Sequence, residues 1–268
     1  MNRPGPSLSR ERDFHDRWAD QIEISEIDVV KQFEGATAPE NRFILGELGD
    51  VRDRLLLDLG CGAGENSVYF ARKGARCVAA DYSPRMVERA LDLARHWKVS
   101  IEGCVVNAME IDCPDDTFDI VYAANLLHHV DPERALREIH RVLKPGGKAC
   151  AWDPLRHNPL INVYRRMATE VRSVDEHPLD IRIVRFIESL FAHVTWDTFW
   201  LATLWIFVRF YLIERVDPNR ERYWKKIIVE EERLRTTYGR LESWDRMVKR
   251  LPGCKRLAWN LAFVATKG

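Results

Sequence analysis

The sequence predicts a doubly wound α/β fold, and three observations predict it. A run of leucines feeds a glycine turn and then a helical pattern, in Leu55-Leu56-Leu57-Asp58-Leu59-Gly60-Cys61-Gly62-Ala63-Gly64-Glu65, which is how such sheets present a nucleotide pocket. Strand-like and helix-like segments alternate five times by Asp153, the pattern of strands crossed over by helices. A second short strand ends in a carboxylate, Asp81, about twenty residues past the glycines, the spacing at which an acid reaches the hydroxyls of a bound ribose.

The elements follow in order. Residues Met1 to about Arg12 are rich in Pro, Ser and charge and read as a disordered lead-in. From Phe14 to Gly35 apolar residues recur at helical spacing, notably Ile27, Val30 and Phe33, and predict a helical extension. Pro39 to Leu48 reads as the helix before the first strand. The leucines 55–57 and 59, bounded by Arg54 and Gly60, suit a strand buried on both faces. A helix from Glu65 to Lys73, stopped by Gly74, would aim its free N–H groups at a carboxylate or phosphate. Ser83-Pro84 then starts a helix carrying Met86, Ala90, Leu93 and Trp97 on one face. Ile101 to Val106, Phe118 to Ala124 and Lys148 to Asp153 read as the third, fourth and fifth strands, with a helix from Asp131-Pro132 before the last.

Composition bounds the function. A chain of 268 residues with 46% apolar content can bury one core and a cap. The formal net charge is zero, so no basic field gathers nucleic acid. Six cysteines lie scattered without a C-x-x-C pair, so no metal site or disulfide framework is expected. The polar N-terminus has no apolar stretch of signal type, and a cytoplasmic protein is the expectation.

The spacing of the glycines separates the cofactors. Dinucleotide pockets use G-x-G-x-x-G, whereas here the third glycine comes one residue early and Glu65 stands where that pattern wants Gly or Ala. A carboxylate there repels a pyrophosphate. With LLLDLGCGAGENS as its first motif and Asp81 as its ribose acid, the chain resembles the class I S-adenosylmethionine-dependent methyltransferases, most of all the small-molecule branch with the ubiquinone and menaquinone enzymes. The resemblance runs from Leu55 to Asp153.

That resemblance implies a Rossmann-like sheet of seven strands with one reversed, the sixth at Phe191 to Trp196 and the seventh at Leu257 to Thr266. It implies S-adenosylmethionine as cofactor, with Asp58, Gly60, Cys61, Gly62 and Gly64 around its methionine end and Asp81 on the ribose. Tyr82, Ser83 and Met86 are implied beside the adenosine, and Asn107, standing where the family usually has Asp, meets the adenine with Ala108 and Met109. Asn125 sits where the fourth strand ends, at the edge where open α/β sheets form pockets. The N-terminal extension closes over the cofactor in such proteins, which gives Phe14, Trp18 or Phe33 a lid role; packing against the core is the alternative.

For catalysis, His128 and His129 follow the fourth strand, and neutral imidazole is the usual base near neutral pH. Adjacent residues point opposite ways, so one of the pair is expected to face the substrate, with His129 preferred. His157 is an equal candidate beyond the fifth strand. Asp153, Tyr164 and Arg165 are candidates for substrate contact, with Glu176 and His177 in the same polar patch, and salt bridging within the cap as the alternative.

Between the last two strands lies an insertion. Phe199 to Ile213 is apolar nearly all round apart from Arg209, and too short to span a bilayer. It reads as a cap helix lining a hydrophobic pocket, as a homodimer interface, or as a peripheral contact with a membrane surface. Pro218 to Leu251 reads as a solvated, mixed-charge helical face. The expected division is an extension over 1–50, a cofactor-binding core over 51–197 and 256–268, and a helical cap over 198–255. The expected enzyme transfers a methyl group to a small hydrophobic acceptor of lipid, quinone or isoprenoid type. Its rivals are a nicotinamide-dependent oxidoreductase and a non-catalytic scaffold that binds S-adenosylmethionine.

Overall fold

The computed structural model describes residues 8–169 and 176–268. In chain order its elements are α1 (Leu8–Ala19), α2 (Val29–Glu34), α3 (Pro39–Leu48), β1 (Leu55–Leu59), α4 (Glu65–Arg72), β2 (Arg76–Asp81), α5 (Pro84–His96), β3 (Glu102–Val105) and β4 (Phe118–Ala124). There follow α6 (Pro132–Val142), β5 (Leu143–Pro154), α7 (Pro159–Met167), α8 (Ile183–Leu190), β6 (His193–Phe199), α9 (Trp205–Leu212), α10 (Tyr223–Val229), α11 (Glu231–Val248) and β7 (Asn260–Thr266).

The strands form one seven-stranded sheet in the order β3-β2-β1-β4-β5-β7-β6. All neighbours are parallel except β7, which runs antiparallel to both β5 and β6. The doubly wound sheet with one reversed strand is therefore as expected. The chain reverses direction across the sheet between β1 and β4, because β2 and β3 are added on one side of β1 and β4 on the other. That switch point is where open α/β sheets leave a crevice at the carboxyl ends of their strands.

The leucines of β1 explain why this strand is central. Leu56 packs into the cluster of Phe33, Ile44, Val68, Phe70 and Tyr122 on one face. Leu57 and Leu59 pack into the cluster of Val121, Leu136, Ile139, Ala149 and Phe263 on the other. Alternate side chains of a strand face opposite ways, so an unbroken apolar run is what a strand buried on both faces requires. Full burial of each such leucine stabilises the fold by about 1.5–3 kcal/mol.

Helix starts carry their own caps. Ser83 Oγ accepts the Met86 N–H at 3.1 Å at the head of α5, and an Asp131 carboxylate oxygen accepts the N–H groups of Glu133 and Arg134 at the head of α6. Such side chains take up donors that a first turn leaves without partners.

Several boundaries differ from expectation. Residues 8–12 are helical and not part of a disordered lead-in, while residues 1–7 lie outside the described residues. The extension is two helices, α1 and α2, separated by a 3-10 turn at Ile24–Glu26. Phe33 is fully buried and stacks on Tyr69 at 4.0 Å, so it belongs to the core and not to a lid. Strand β5 starts at Leu143, earlier than Lys148, because Leu143 already pairs with Phe118 of β4, and the ladder shifts register before Lys148 pairs with Ile120. Helices α7 and α8 are further elements that the expected order lacked, and β6 and β7 run over His193–Phe199 and Asn260–Thr266.

The segment Phe199 to Ile213 divides between two environments. Trp200, Leu204, Phe207 and Phe210 pack with Tyr223, Ile227 and Tyr238 into a core of their own, joined to the sheet through Trp259. Trp205, Leu212 and Ile213 are 62%, 65% and 73% exposed. Among the described residues no helix is long and apolar enough to cross a membrane.

Candidate functional site

The glycine loop between β1 and α4 is shaped by what surrounds each glycine. Gly60 and Gly64 take positive φ of 73° and 90°, a region that costs other residues about 1–2 kcal/mol. A side chain at Gly64 would also stand 2.6 Å from the Ala90 Cα of α5, so this glycine lets two helices meet. Gly62 differs, since a Cβ there would meet nothing within 4 Å. Its outer face is free for a ligand to approach.

Asp81, at the end of β2, ties this loop to the next strand. One carboxylate oxygen accepts the Gly62 N–H at 3.0 Å and the other accepts the Ser83 N–H at 2.9 Å. Burial pushes Asp81 above the usual carboxylate range, against the pull of those N–H groups and of His15. A carboxylate has about four acceptor sites, so capacity remains for the hydroxyls of a ribose. Glu65, opening α4, is also pushed up by burial, and a pyrophosphate would meet it there.

Asp58 is fully buried, and its oxygens accept the Ser67 N–H, the Ser67 hydroxyl and the Asn66 amide at 2.9, 2.6 and 3.2 Å. Burial raises it to about 7, against these hydrogen bonds. Its bonds brace the first turn of α4. Cys61 turns its side chain into the cluster of Ala79 and Ala90, so its backbone is what borders the loop.

The remaining cofactor candidates lie along the same strand ends. Ser83 is occupied as the cap of α5 and also donates to Asp16 of α1. Met86 is fully buried beneath, while Tyr82 is half-buried. Asn107 folds its side-chain oxygen back on the Met109 N–H at 3.0 Å, which leaves the amide nitrogen to face outward partners. Ala108 is buried, and Met109 receives the Asp131 N–H on sulfur. Asn125 is exposed with φ +58° and donates its N–H to Trp152 at 2.7 Å.

The histidines separate sharply. His128 is 3% exposed, and its Nδ1 lies 2.8 Å from Asp153 Oδ1, which also accepts the His128 N–H at 3.1 Å. Asp153 is 1% exposed, and burial raises it to about 8. The two side chains are thus partners of each other inside the fold. His129 lies against His128, the two rings 3.9 Å apart, with its Nδ1 3.3 Å from Glu11 of α1. His157 Nε2 lies 3.4 Å from Asp180, which also holds Arg156 and Arg182, and among the described residues no contact links it to the His129 group.

Arg165 donates to the Leu155 carbonyl at 3.1 Å and the Asn162 side chain at 2.8 Å, holding the turn after β5. Tyr164 packs its ring on Phe207 and Tyr223 and lies in the electrostatic reach of Arg222. Glu176 comes close to His128 and His129, their ligand atoms all within 4.8 Å of one another.

Helix α1 supplies groups that sequence reasoning missed. Glu11 lies 3.6 Å from His15 and 3.3 Å from His129, and the rings of His15 and His129 are 5.7 Å apart. Burial lowers His15, which also feels Asp81. Asp16 and Asp20 hold Ser83 and Arg85 of α5, and Arg89 donates to the Ala19 carbonyl at 3.1 Å. Helix α1 thereby lies across the ends of β2 and β4. Positions 11, 15 and 18 share one helical face, the signal that could have found this group.

Comparison with known proteins places residues 57–151 in a methyltransferase domain family. Over 105 residues the chain is 40% identical to the 27-O-demethylrifamycin SV methyltransferase of Amycolatopsis mediterranei, covering 37% of this chain and 38% of that one. Over 103 residues it is 36% identical to phosphoethanolamine N-methyltransferase 3 of Arabidopsis thaliana, covering 38% and 21%. The matched part thus spans less than two-fifths of either relative.

Among solved structures, phosphoethanolamine N-methyltransferase 2 of Haemonchus contortus superposes with a TM-score of 0.60 at 20% identity, over 99% of this chain and 61% of that one. The [4+2]-cyclase SpnF superposes at 0.53 and 22% identity, over 94% and 80%. At these identities the two structures bear on the fold alone, and they accompany different chemistries.

Proposed function

From the premise that residues 57–151 make this chain a member of the class I S-adenosylmethionine-dependent methyltransferases, we propose that it transfers a methyl group from S-adenosylmethionine to a small acceptor. The observation that carries this reading is Asp81 accepting both the Gly62 and the Ser83 N–H beside a glycine whose outer face is open. Gly60, Gly62 and Gly64 would hold the methionine end, Asp81 the ribose, and Tyr82, Met86, Asn107, Ala108 and Met109 the adenosine. The buried carboxylate of Glu65 in the same turn disfavours a dinucleotide.

The cofactor supplies an electrophilic methyl on a sulfonium. The chain's task is to position the acceptor, and orientation alone can account for much of the acceleration. His129 would take the acceptor's proton at the ring nitrogen that Glu11 does not face, with Glu11 holding the other and fixing the tautomer. Helix α1, with Trp18 on its inner face beneath Arg222, would keep water from the reacting centre.

We read 51–197 with 256–268 as the cofactor-binding core and 198–255 as the cap on the acceptor side. An acceptor with an apolar body, of lipid, quinone or isoprenoid type, is supported by the aromatic rings of Trp18 and Tyr164 near the mouth. The exposed Trp205, Leu212 and Ile213 support a peripheral contact of the cap with a membrane surface.

Calorimetric titration tests the reading. Micromolar binding of S-adenosylmethionine, lost in Asp81→Ala while melting is unchanged, is the expected result. Preference for a nicotinamide dinucleotide, or no binding of either, would overturn it. Transfer of a labelled methyl group to lipid and quinone acceptors would then define the substrate.

A further inference from the structure

Two cations lie against the Trp18 ring of α1 without an ion-pair partner among the described residues. The Arg222 guanidinium lies 4.1 Å over the Trp18 ring of α1, and the Lys225 Nζ lies 5.6 Å from the same ring. Among the described residues neither side chain has a hydrogen bond or an ion pair. Their neighbour Lys226 shows the contrast, since it pairs with Glu221 at 3.1 Å and Glu230 at 2.7 Å. This stretch therefore pairs Lys226 closely and leaves the two cations against α1 without an ion-pair partner among the described residues.

Both lie within electrostatic reach of groups at the candidate site. Arg222 is within electrostatic reach of His15, which also feels His129 and Asp81. Lys225 is within reach of Glu65, at the start of α4, and of Glu26, but neither carboxylate approaches to ion-pair distance. Arg222 is half-buried, and burial lowers its pKa. A partly desolvated cation without an anion is costly, and an aromatic face holds it in place without cancelling its charge. Such a pair is complementary to a bound carboxylate or phosphate, which forms charge-assisted hydrogen bonds with guanidinium and ammonium.

We propose that Arg222 and Lys225 seat an anionic group, a carboxylate or phosphate ester, carried by the methyl acceptor. The assignment rests on the methyltransferase reading above and adds a charged head to the apolar body of the substrate. Trp18 then serves as the platform that holds the two cations in position.

The test is calorimetric titration of inorganic phosphate into the full chain saturated with S-adenosylhomocysteine, at constant ionic strength. The wild type should bind phosphate, and Arg222→Gln/Lys225→Gln should bind it at least about tenfold more weakly. Lys226→Gln, which removes one charge from the same helix as Lys225→Gln does, should bind it as the wild type does. Affinity for S-adenosylhomocysteine should stay the same in all three.

Absence of phosphate binding in the wild type overturns the proposal, as does equal weakening by Lys226→Gln. Parallel loss of S-adenosylhomocysteine affinity in the double variant also overturns it, because the cations would then serve the cofactor's own carboxylate. Should the double variant fail to fold, Lys225→Gln alone alters an exposed side chain and should still weaken phosphate several-fold; no change sinks the idea. A wild type that does not bind S-adenosylhomocysteine fails the methyltransferase reading first, a result distinct from all of these.

Discussion

His128 and Asp153 form an internal pair, Nδ1 to Oδ1 at 2.8 Å, with both side chains almost wholly out of solvent. The carboxylate oxygen that meets the ring also accepts the backbone N–H of the same histidine. The pair therefore pins the turn after β4 to the end of β5, and it aims the next residue, His129, outward toward α1.

Removing one member should cost stability more than chemistry. Loss of one partner from a buried pair typically costs about 3–5 kcal/mol, so His128→Ala and Asp153→Ala should each lower the midpoint of urea unfolding markedly. His129→Ala should barely move it. Equal midpoints for His128→Ala and His129→Ala would contradict the structural role.

Catalysis should respond in the reverse order. With His129 as the base, His129→Ala lowers kcat by about 10²–10⁴-fold with little change in KM for S-adenosylmethionine. Glu11→Gln keeps the contact but removes the charge, so it should produce a smaller fall in kcat than His129→Ala does. A kcat equal to that of the wild type would show that Glu11 does not act through His129.

The two glycines should fail differently. Gly64→Ala drives a methyl group to within 2.6 Å of the Ala90 backbone, and overpacking of that kind costs roughly 1–3 kcal/mol beyond the strain of a positive φ. Its signature is a lower melting temperature. Gly62→Ala meets no protein atom, so beyond about 1–2 kcal/mol of backbone strain its effect should fall on cofactor affinity, measurable as a raised dissociation constant in a protein that still folds.

Glu40 links stability to pH. It is buried, accepts the Asn260 amide at 2.6 Å, and is raised by burial to about 7. Between the ordinary glutamate value near 4.3 and about 7, the native state holds a proton that the unfolded state has released. Stability therefore falls as pH rises through that window. Glu40→Gln cannot ionise, so unfolding titrations from pH 5 to 8 should show a slope smaller by one proton, with the variant gaining on the wild type toward pH 8.

What the sequence disclosed was local. The Leu55–Gly64 run and Asp81 act within one strand-turn-helix unit and its neighbour, so their spacing carries their meaning. Helix α1 was misread because its face is polar, and the groups that order it, Ser83, Arg85 and Arg89, stand some seventy residues away along the chain. The choice between His128 and His129 turned on Asp153, which the fold alone brings beneath one of them. Arg222 and Lys225 sit in a stretch with the composition of a solvated surface, and only the packing of Trp18 against them separates them from Lys226.

Phe199 ends β6 and Asn260 opens β7, and the two are paired directly across the ladder. Everything from Trp200 to Trp259 thus leaves and re-enters at a single rung. Closing a long loop between ends already held together costs little more than closing a short one, so the sheet's register is indifferent to what is threaded there. A lineage could lengthen, exchange or trim this excursion and alter which molecules are admitted, while the apparatus that grips the methyl donor is inherited untouched.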